Sequence, residues 1–258
     1  MSTATSHGWL AIAGLGPGPA EWITPEVTAT LAEATDLIGY APYVARVPAR
    51  DGVHRHGSDN REELGRAGHA LRLAAEGRRV VVVSSGDPGV FAMAAAVFEA
   101  VERGEPAWRG LDIRVLPGIS AMFAAAARIG APLGHDFCAI NLSDNLKPWQ
   151  LIEQRLRLAA QGDFVIALYN PLSKARPWQL GSALELLRAE LPGSVPVVFA
   201  TAVGDAREAI DVVPLGEAEP QRADMRTLVM IGSRQTSLIT RAGGAPFVYT
   251  PRSVGAAP

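Results

Sequence analysis

Four consecutive valines, Val80–Val83, followed by Ser84-Ser-Gly-Asp-Pro-Gly89, constrain the fold of this chain more than any other segment. Valine branches at Cβ, which restricts it in a helix and suits it to a pleated surface. Successive strand residues point to opposite faces, so an unbroken valine run needs cover on both sides. That requirement predicts a mostly parallel sheet with helices packed on each face.

The remaining sequence alternates accordingly. Trp9–Ala13 reads as a first strand ending in Gly14-Leu-Gly-Pro-Gly18. Thr24-Pro25-Glu26 supplies an N-cap, an N1 proline and an acidic first turn for a helix through Val27, Leu31 and Ala34. Leu37–Tyr40 follows as a strand, then a loop containing proline and arginine. Asp59 and Glu62 are spaced like a capping box, opening a helix whose Leu64, Ala67, Leu71 and Ala74 share a face and which Gly77 stops. Val90–Val101 reads as a helix, Ile113–Leu116 as a strand and Ala121–Ile129 as an alanine-rich helix. In the second half, Phe137–Leu142, Phe164–Leu168, Val195–Ala200, Ala209–Val213 and Leu228–Ile231 read as strands, and Trp149–Ala160 and Pro177–Leu191 as helices. The last three strands are close in sequence, which predicts a mixed second sheet. The expected fold is α/β, with one αβα domain over residues 1–118 and a second over 119–258.

Composition narrows the function. A net charge of −2 and pI near 6.2 argue against nucleic-acid binding, which needs a basic surface. The single cysteine, Cys138, excludes a disulfide framework and reads as core filler in an apolar strand. No apolar run reaches membrane-spanning length and no basic segment precedes one at the N-terminus, so a cytoplasmic chain with no membrane partner is expected. His54 and His56 could share a strand face, but with no third ligand nearby no metal site is expected.

The glycine loop tests a dinucleotide hypothesis and fails it. A G-x-G-x-x-G fingerprint starting at Gly14 needs glycine at position 19, where Pro19 stands. Pro17 and Pro19 also remove two N–H donors that would cradle a pyrophosphate. Asp36 precedes its strand, whereas a ribose ligand belongs at the strand's C-terminal end. A loop of two prolines and three glycines instead suits a rigid wall with little side chain, against which a large flat ligand can lie, or an ordinary tight turn.

Five segments occur in order: Gly14-x-Gly-Pro-Gly18 with Ile23-Thr-Pro25, Gly86-Asp-Pro-Gly89, Pro117-Gly-Ile-Ser-Ala121, and Asp224-Met-Arg-Thr with Ile231-Gly232. This set resembles the tetrapyrrole (class III) methyltransferases of the corrin and sirohaem pathways. Leu37–Tyr43, Ser58–Glu63, Leu142–Leu146 and Leu168–Pro171 add to the likeness. The resemblance implies two αβα domains with the active site in the cleft between them, S-adenosylmethionine as co-substrate, a tetrapyrrole substrate and a homodimer. It further implies methylation at C17 of a corrin precursor with contraction of the macrocycle, on a metal-free or a cobalt-loaded ring.

Carried over by position, the family's cofactor residues are Pro17, Ser85, Gly86, Asp87, Ser120, Ala121, Tyr169, Asn170, Ala202, Met225 and Thr227. Asp87 has a competing reading as a turn residue, Ser120 as a helix cap and Met225 as core. The substrate carries many carboxylates, which arginine pairs bidentately. Gly16, Tyr40, Arg55, Ser58, Asn60 and Arg61 are the substrate-side candidates, with Arg46 and Arg50 beside them; solvated surface charge is the alternative for each arginine. Ring contraction moves a proton, so an acid/base group is expected. Asp144 and His56 are the candidates, on the expectation that both lie in loops after strands.

Overall fold

The computed structural model describes residues 8–60 and 62–253, in two compact units that meet in sequence between Ser120 and Ala121. In the first, five strands pair in parallel in the order β3-β2-β4-β1-β5. They are β1 (Trp9–Gly14), β2 (Asp36–Tyr40), β3 (His54–Ser58), β4 (Arg79–Ser84) and β5 (Asp112–Leu116). Their helices are α1 (Pro25–Glu33), α2 (Ala41–Arg46), α3 (Glu63–Ala75) and α4 (Met93–Arg103).

The valine run behaves as its chemistry demands. Val80 and Val82 join Leu10, Ile12 and Ile38 under Leu71 of α3 and Val97 of α4. Val81 and Val83 join Ala11, Ala13 and Leu37 under Val27 of α1 and Val44 of α2. All four valines are fully buried, each contributing roughly 2 kcal/mol of transfer free energy. The Thr24 hydroxyl caps α1 by accepting the Val27 N–H at 3.2 Å.

Four expectations are corrected here. Helix α3 opens at Glu63 with no side-chain cap; the Asp59 carboxylate instead accepts the N–H of Asn60, one residue on. Leu64 is exposed, so the buried stripe of α3 is Ala67, Leu71 and Ala74. Helix α4 starts at Met93, because Val90 to Ala92 form an irregular turn with Phe91 at φ 53°. The stretch read as a loop after β2 contains α2, too short to show a helical period, and β3, whose residues are polar.

In the second unit α5 (Ala121–Ile129) leads into β6 (Gly130–Ala131). Then come β7 (Phe137–Asn141), α6 (Trp149–Gln161), β8 (Val165–Tyr169), α7 (Gln179–Glu190), β9 (Pro196–Thr201), β10 (Ala209–Pro214) and β11 (Thr227–Ile231). The sheet order is β10-β9-β11-β8-β7; only β7–β8 is parallel, so it is mixed as expected. Ile166, Leu168, Phe199 and Val229 pack against Ile152 and Leu156 of α6 and Leu180 and Leu184 of α7. Two further strands, β12 (Ser237–Ile239) and β13 (Phe247–Tyr249), form a three-stranded sheet with β6 that the sequence reading misses. Cys138 packs partly buried against this core, and burial pushes its thiol up to about 11. No described helix is long and apolar enough to cross a membrane.

Candidate active site

At the C-terminal edge of the first sheet, three loops meet backbone to backbone. Leu15 donates its N–H to Ser84 O at 2.9 Å and Gly16 to Gly86 O at 3.2 Å, so the loop after β1 zips onto the turn after β4. Gly16 and Gly86 take φ values of 63° and 68°, the left-handed region glycine reaches without strain. A Cβ on Gly14 would lie 2.6 Å from Gly86 O, and one on Gly118 would lie 2.4 Å from the same oxygen. Gly14 and Gly118 are therefore occupied by contact between loops and leave no bare surface for a ligand, contrary to the wall expected of Gly14.

Asp87 ties this junction together. Its Oδ1 accepts the Gly89 N–H at 2.8 Å and its Oδ2 the Gly118 N–H at 3.0 Å. The turn role weighed for Asp87 is thus real, and it spans two loops. Arg46 of α2 holds the glycine loop from another side, donating to Leu15 O (2.9 Å), Gly16 O (2.8 Å) and Gly18 O (2.9 Å). Burial pushes the Arg46 guanidinium below its ordinary value, partly offset by Tyr43. Gly16 is buried, Pro17 and Ser85 are half-buried, and Ser120 is buried just before α5, whose first residue is Ala121.

The other substrate-side residues divide. Tyr40 ends β2 and meets Tyr43 edge-on at 5.2 Å. Arg55 lies in β3 and donates to the carbonyls of Val44 and Pro48, so its donors serve the α2 loop rather than standing free for a carboxylate. Arg50 likewise donates to carbonyls at the end of α1, among them Ala34 O at 2.6 Å. Ser58 closes β3 and accepts from Arg66 Nε at 2.8 Å; Asn60 is exposed in the loop beyond, and Arg61 lies outside the described residues.

His56 is not in a loop. It sits in β3, with Nε2 2.9 Å from Asp36 Oδ1 and Nδ1 3.3 Å from His69 Nε2. Asp36, only 1% exposed, also accepts from Arg78 and Thr35. Burial raises the Asp36 carboxyl, but hydrogen bonds from His56, Arg78 and Thr35 outweigh it and hold the group below the ordinary carboxylate range. A carboxylate at Nε2 makes that nitrogen the donor, and in the neutral ring Nδ1 then accepts from His69.

In the second unit the candidates gather at one sheet edge. Strand β11 runs antiparallel to β8 and β9, so its first residue shares an edge with their last. Asn170 and Ala202 follow β8 and β9 with φ of 52° and 49°. Alanine pays about 1 kcal/mol or more for that conformation, and such strain concentrates at functional sites. Neighbouring backbone holds Ala202 there, its N–H donating to Arg226 O at 3.1 Å and its carbonyl accepting from Asp205 at 3.0 Å. The Thr227 hydroxyl meets Thr201 Oγ1 at 2.8 Å and Asp224 Oδ1 at 2.9 Å. Asn170 donates to Asn141 Oδ1 at 3.0 Å, and Tyr169 Oη accepts the Met122 N–H of α5 at 3.1 Å. Met225 is 62% exposed, so it is not core. Asp144, in the loop after β7, accepts from the buried Gln179 Nε2 at 3.2 Å through each oxygen.

The first unit thus has a parallel sheet with converging glycine loops, and the second a mixed sheet with positive-φ residues at one edge. Residues 10–219 match the family model of the tetrapyrrole (corrin/porphyrin) methylases, and the chain belongs to that family. It is 58% identical to a precorrin-3B C(17)-methyltransferase of Sinorhizobium sp, covering 95% of this chain and 96% of the relative. It is 37% identical to a probable cobalt-factor III C(17)-methyltransferase of Salmonella typhimurium, over 88% and 93% of the two chains. The crystal structure of the methyltransferase CobJ superposes with a TM-score of 0.90 at 61% identity, covering 95% of this chain and all of that one (100%).

Proposed function

We propose that this chain methylates C17 of precorrin-3B with S-adenosylmethionine and contracts the macrocycle to precorrin-4, a step of aerobic cobalamin biosynthesis. The observation that carries the reading is the convergence of Gly14–Gly16, Gly86–Asp87 and Gly118 into one loop cluster. These are the segments by which the sequence resembles the family. The substrate follows from the likeness to a precorrin-3B C(17)-methyltransferase.

S-adenosylmethionine supplies a methyl group on a sulfonium. In the first unit Pro17, Ser85, Gly86, Asp87 and Ser120 are the residues proposed to hold it. In the second they are Ala121, Tyr169, Asn170, Ala202, Met225 and Thr227. The fit rests on the exposed apolar side chain of Met225, suited to a flat base, and on the left-handed backbone of Asn170 and Ala202 at the same sheet edge. Gly16, Tyr40, Ser58 and Asn60 are assigned to the macrocycle. Methyl transfer needs positioning more than proton chemistry. Ring contraction needs a proton acceptor, and Asp144 is assigned that role because Gln179 orients it. The enzyme is expected to act as a cytoplasmic homodimer, which light scattering tests.

Labelled methyl donor supplied with precorrin-3B and with cobalt-factor III in parallel decides the substrate. Label should enter a ring-contracted product from the metal-free precursor. Transfer to the cobalt form alone would replace this reading with the anaerobic one. Absence of S-adenosylhomocysteine binding in calorimetry would remove both.

A further inference from the structure

Arg66, in α3, is 6% exposed and among the described residues has no carboxylate partner within ion-pair distance. Its guanidinium donates to Ser58 Oγ (2.8 Å), Asp59 O (2.7 Å) and Met93 Sδ (3.3 Å). The first two are neutral oxygens and the third is a weak acceptor, so these bonds use three of five N–H donors and compensate no charge. A buried cation without a counter-ion is unfavourable unless something anionic completes it. Arg66 also lines a cavity of about 340 Å³ between β3 and α3, with His56, Ser58, Glu62, Gly65 and His69. Asp36 is turned away into its bonds with Arg78 and His56, and Glu62, the rim's own carboxylate, is exposed and makes no ion pair among the described residues.

We propose that the cavity between β3 and α3 is a carboxylate subsite in which Arg66 and the Ser58 hydroxyl receive one carboxylate arm of the macrocyclic substrate. The inference rests on the tetrapyrrole reading above and adds a residue that neither spacing nor resemblance singled out. His69 and His56 line the same cavity and are tied to each other and to Asp36. In the neutral pair the N–H of each ring is already given, to His56 and to Asp36 respectively, so the full positive charge of the cavity is that of Arg66. Its volume accommodates an acetate or propionate arm with solvent, whereas a whole macrocycle exceeds it.

Gly65 provides a test that leaves Arg66 intact. It stands on the cavity rim in α3, and a Cβ built there meets nothing within 4 Å. Gly65→Leu should therefore fold, favoured by its helix propensity, while its side chain obstructs the cavity. The air-stable octacarboxylate uroporphyrin III serves as probe, with affinity read by fluorescence and S-adenosylhomocysteine affinity read separately by calorimetry. Gly65→Leu and Arg66→Gln are each expected to weaken uroporphyrin binding at least tenfold and to leave S-adenosylhomocysteine binding unchanged. Glu62→Gln, which removes the like charge at the rim, should not weaken it. Wild-type affinity in a folded Gly65→Leu variant overturns the proposal, even where S-adenosylhomocysteine binds and the methyltransferase reading stands. Succinate that raises the unfolding midpoint of wild type but not of Arg66→Gln, with uroporphyrin affinity equal in both, would assign the cavity to a free small acid and equally overturn it.

Discussion

The Asp87 carboxylate accepts the Gly118 N–H at 3.0 Å, joining the turn after β4 to the turn after β5. One side chain thereby fixes two of the segments that identify the family. Asp87→Asn replaces one acceptor oxygen by an amide that cannot accept, leaving a donor facing a donor. A charge-assisted bond is worth about 1.5–3 kcal/mol, and urea unfolding should show a loss in that range. S-adenosylhomocysteine affinity should fall at least tenfold in calorimetry; unchanged affinity would remove Asp87 from the cofactor site.

Gly118→Ala tests the same junction by volume. The new Cβ would be 2.4 Å from Gly86 O, a backbone atom that cannot swing aside. Overpacking of this kind costs about 1–3 kcal/mol or more. Gly110→Ala, where a Cβ meets nothing within 4 Å, is the matched control and should change stability far less. Equal midpoints for the two variants would contradict the close approach.

Arg46 holds three loop carbonyls with a planar fork that lysine cannot copy. Arg46→Lys keeps the charge but loses at least one of these bonds, at about 1–3 kcal/mol. Amide exchange should quicken at Leu15 and Gly16 before it does in Val80–Val83. Uniform acceleration would mean global destabilisation rather than release of the loop.

Much of this arrangement is legible in the sequence, and the illegible part has a physical reason. Val80–Val83 and the run Trp9–Ala13 carry their pattern in hydrophobicity, so their strands are readable. His54–Ser58 forms an edge strand from polar residues, and its strand character comes from pairing with β2, which no local pattern encodes. The same gap misplaces His56 in a loop and hides its link to Asp36, twenty positions away. Arg55 and Arg66 show the limit for charge. Both are arginines near one loop, yet Arg55 is committed to carbonyls and Arg66 to a cavity, a difference made by folding alone.

His69 gives stability a pH dependence. Burial pushes its imidazole below the ordinary histidine value, with His56 and Arg72 adding to that and Asp36 and Glu76 opposing. A depressed folded pKa means that the unfolded chain binds the proton first. The contribution of neutral His69 is therefore complete above the unfolded value near ~6.5 and is lost as pH falls through the lower folded value. Urea midpoints should decline between about pH 7 and pH 5 in wild type. His69→Gln, which keeps a donor for His56, should flatten that decline, and an unaltered slope would assign it to other groups.

Asp144→Asn separates the two halves of the proposed reaction. Gln179 donates to both oxygens of Asp144, so asparagine can keep one of these contacts, and stability should change by only about 1 kcal/mol. Methyl transfer depends on positioning and should persist, whereas loss of a general base costs roughly 10²–10⁴-fold in the step that uses it. The variant should accumulate a product that gains the methyl mass but retains the absorbance of the uncontracted ring. Gln179→Ala leaves the carboxylate in place but unoriented, so contraction should slow less there than in Asp144→Asn. Full contraction by Asp144→Asn would transfer the role to another group, and His56, with Nε2 already held by Asp36, could act only through Nδ1 and His69.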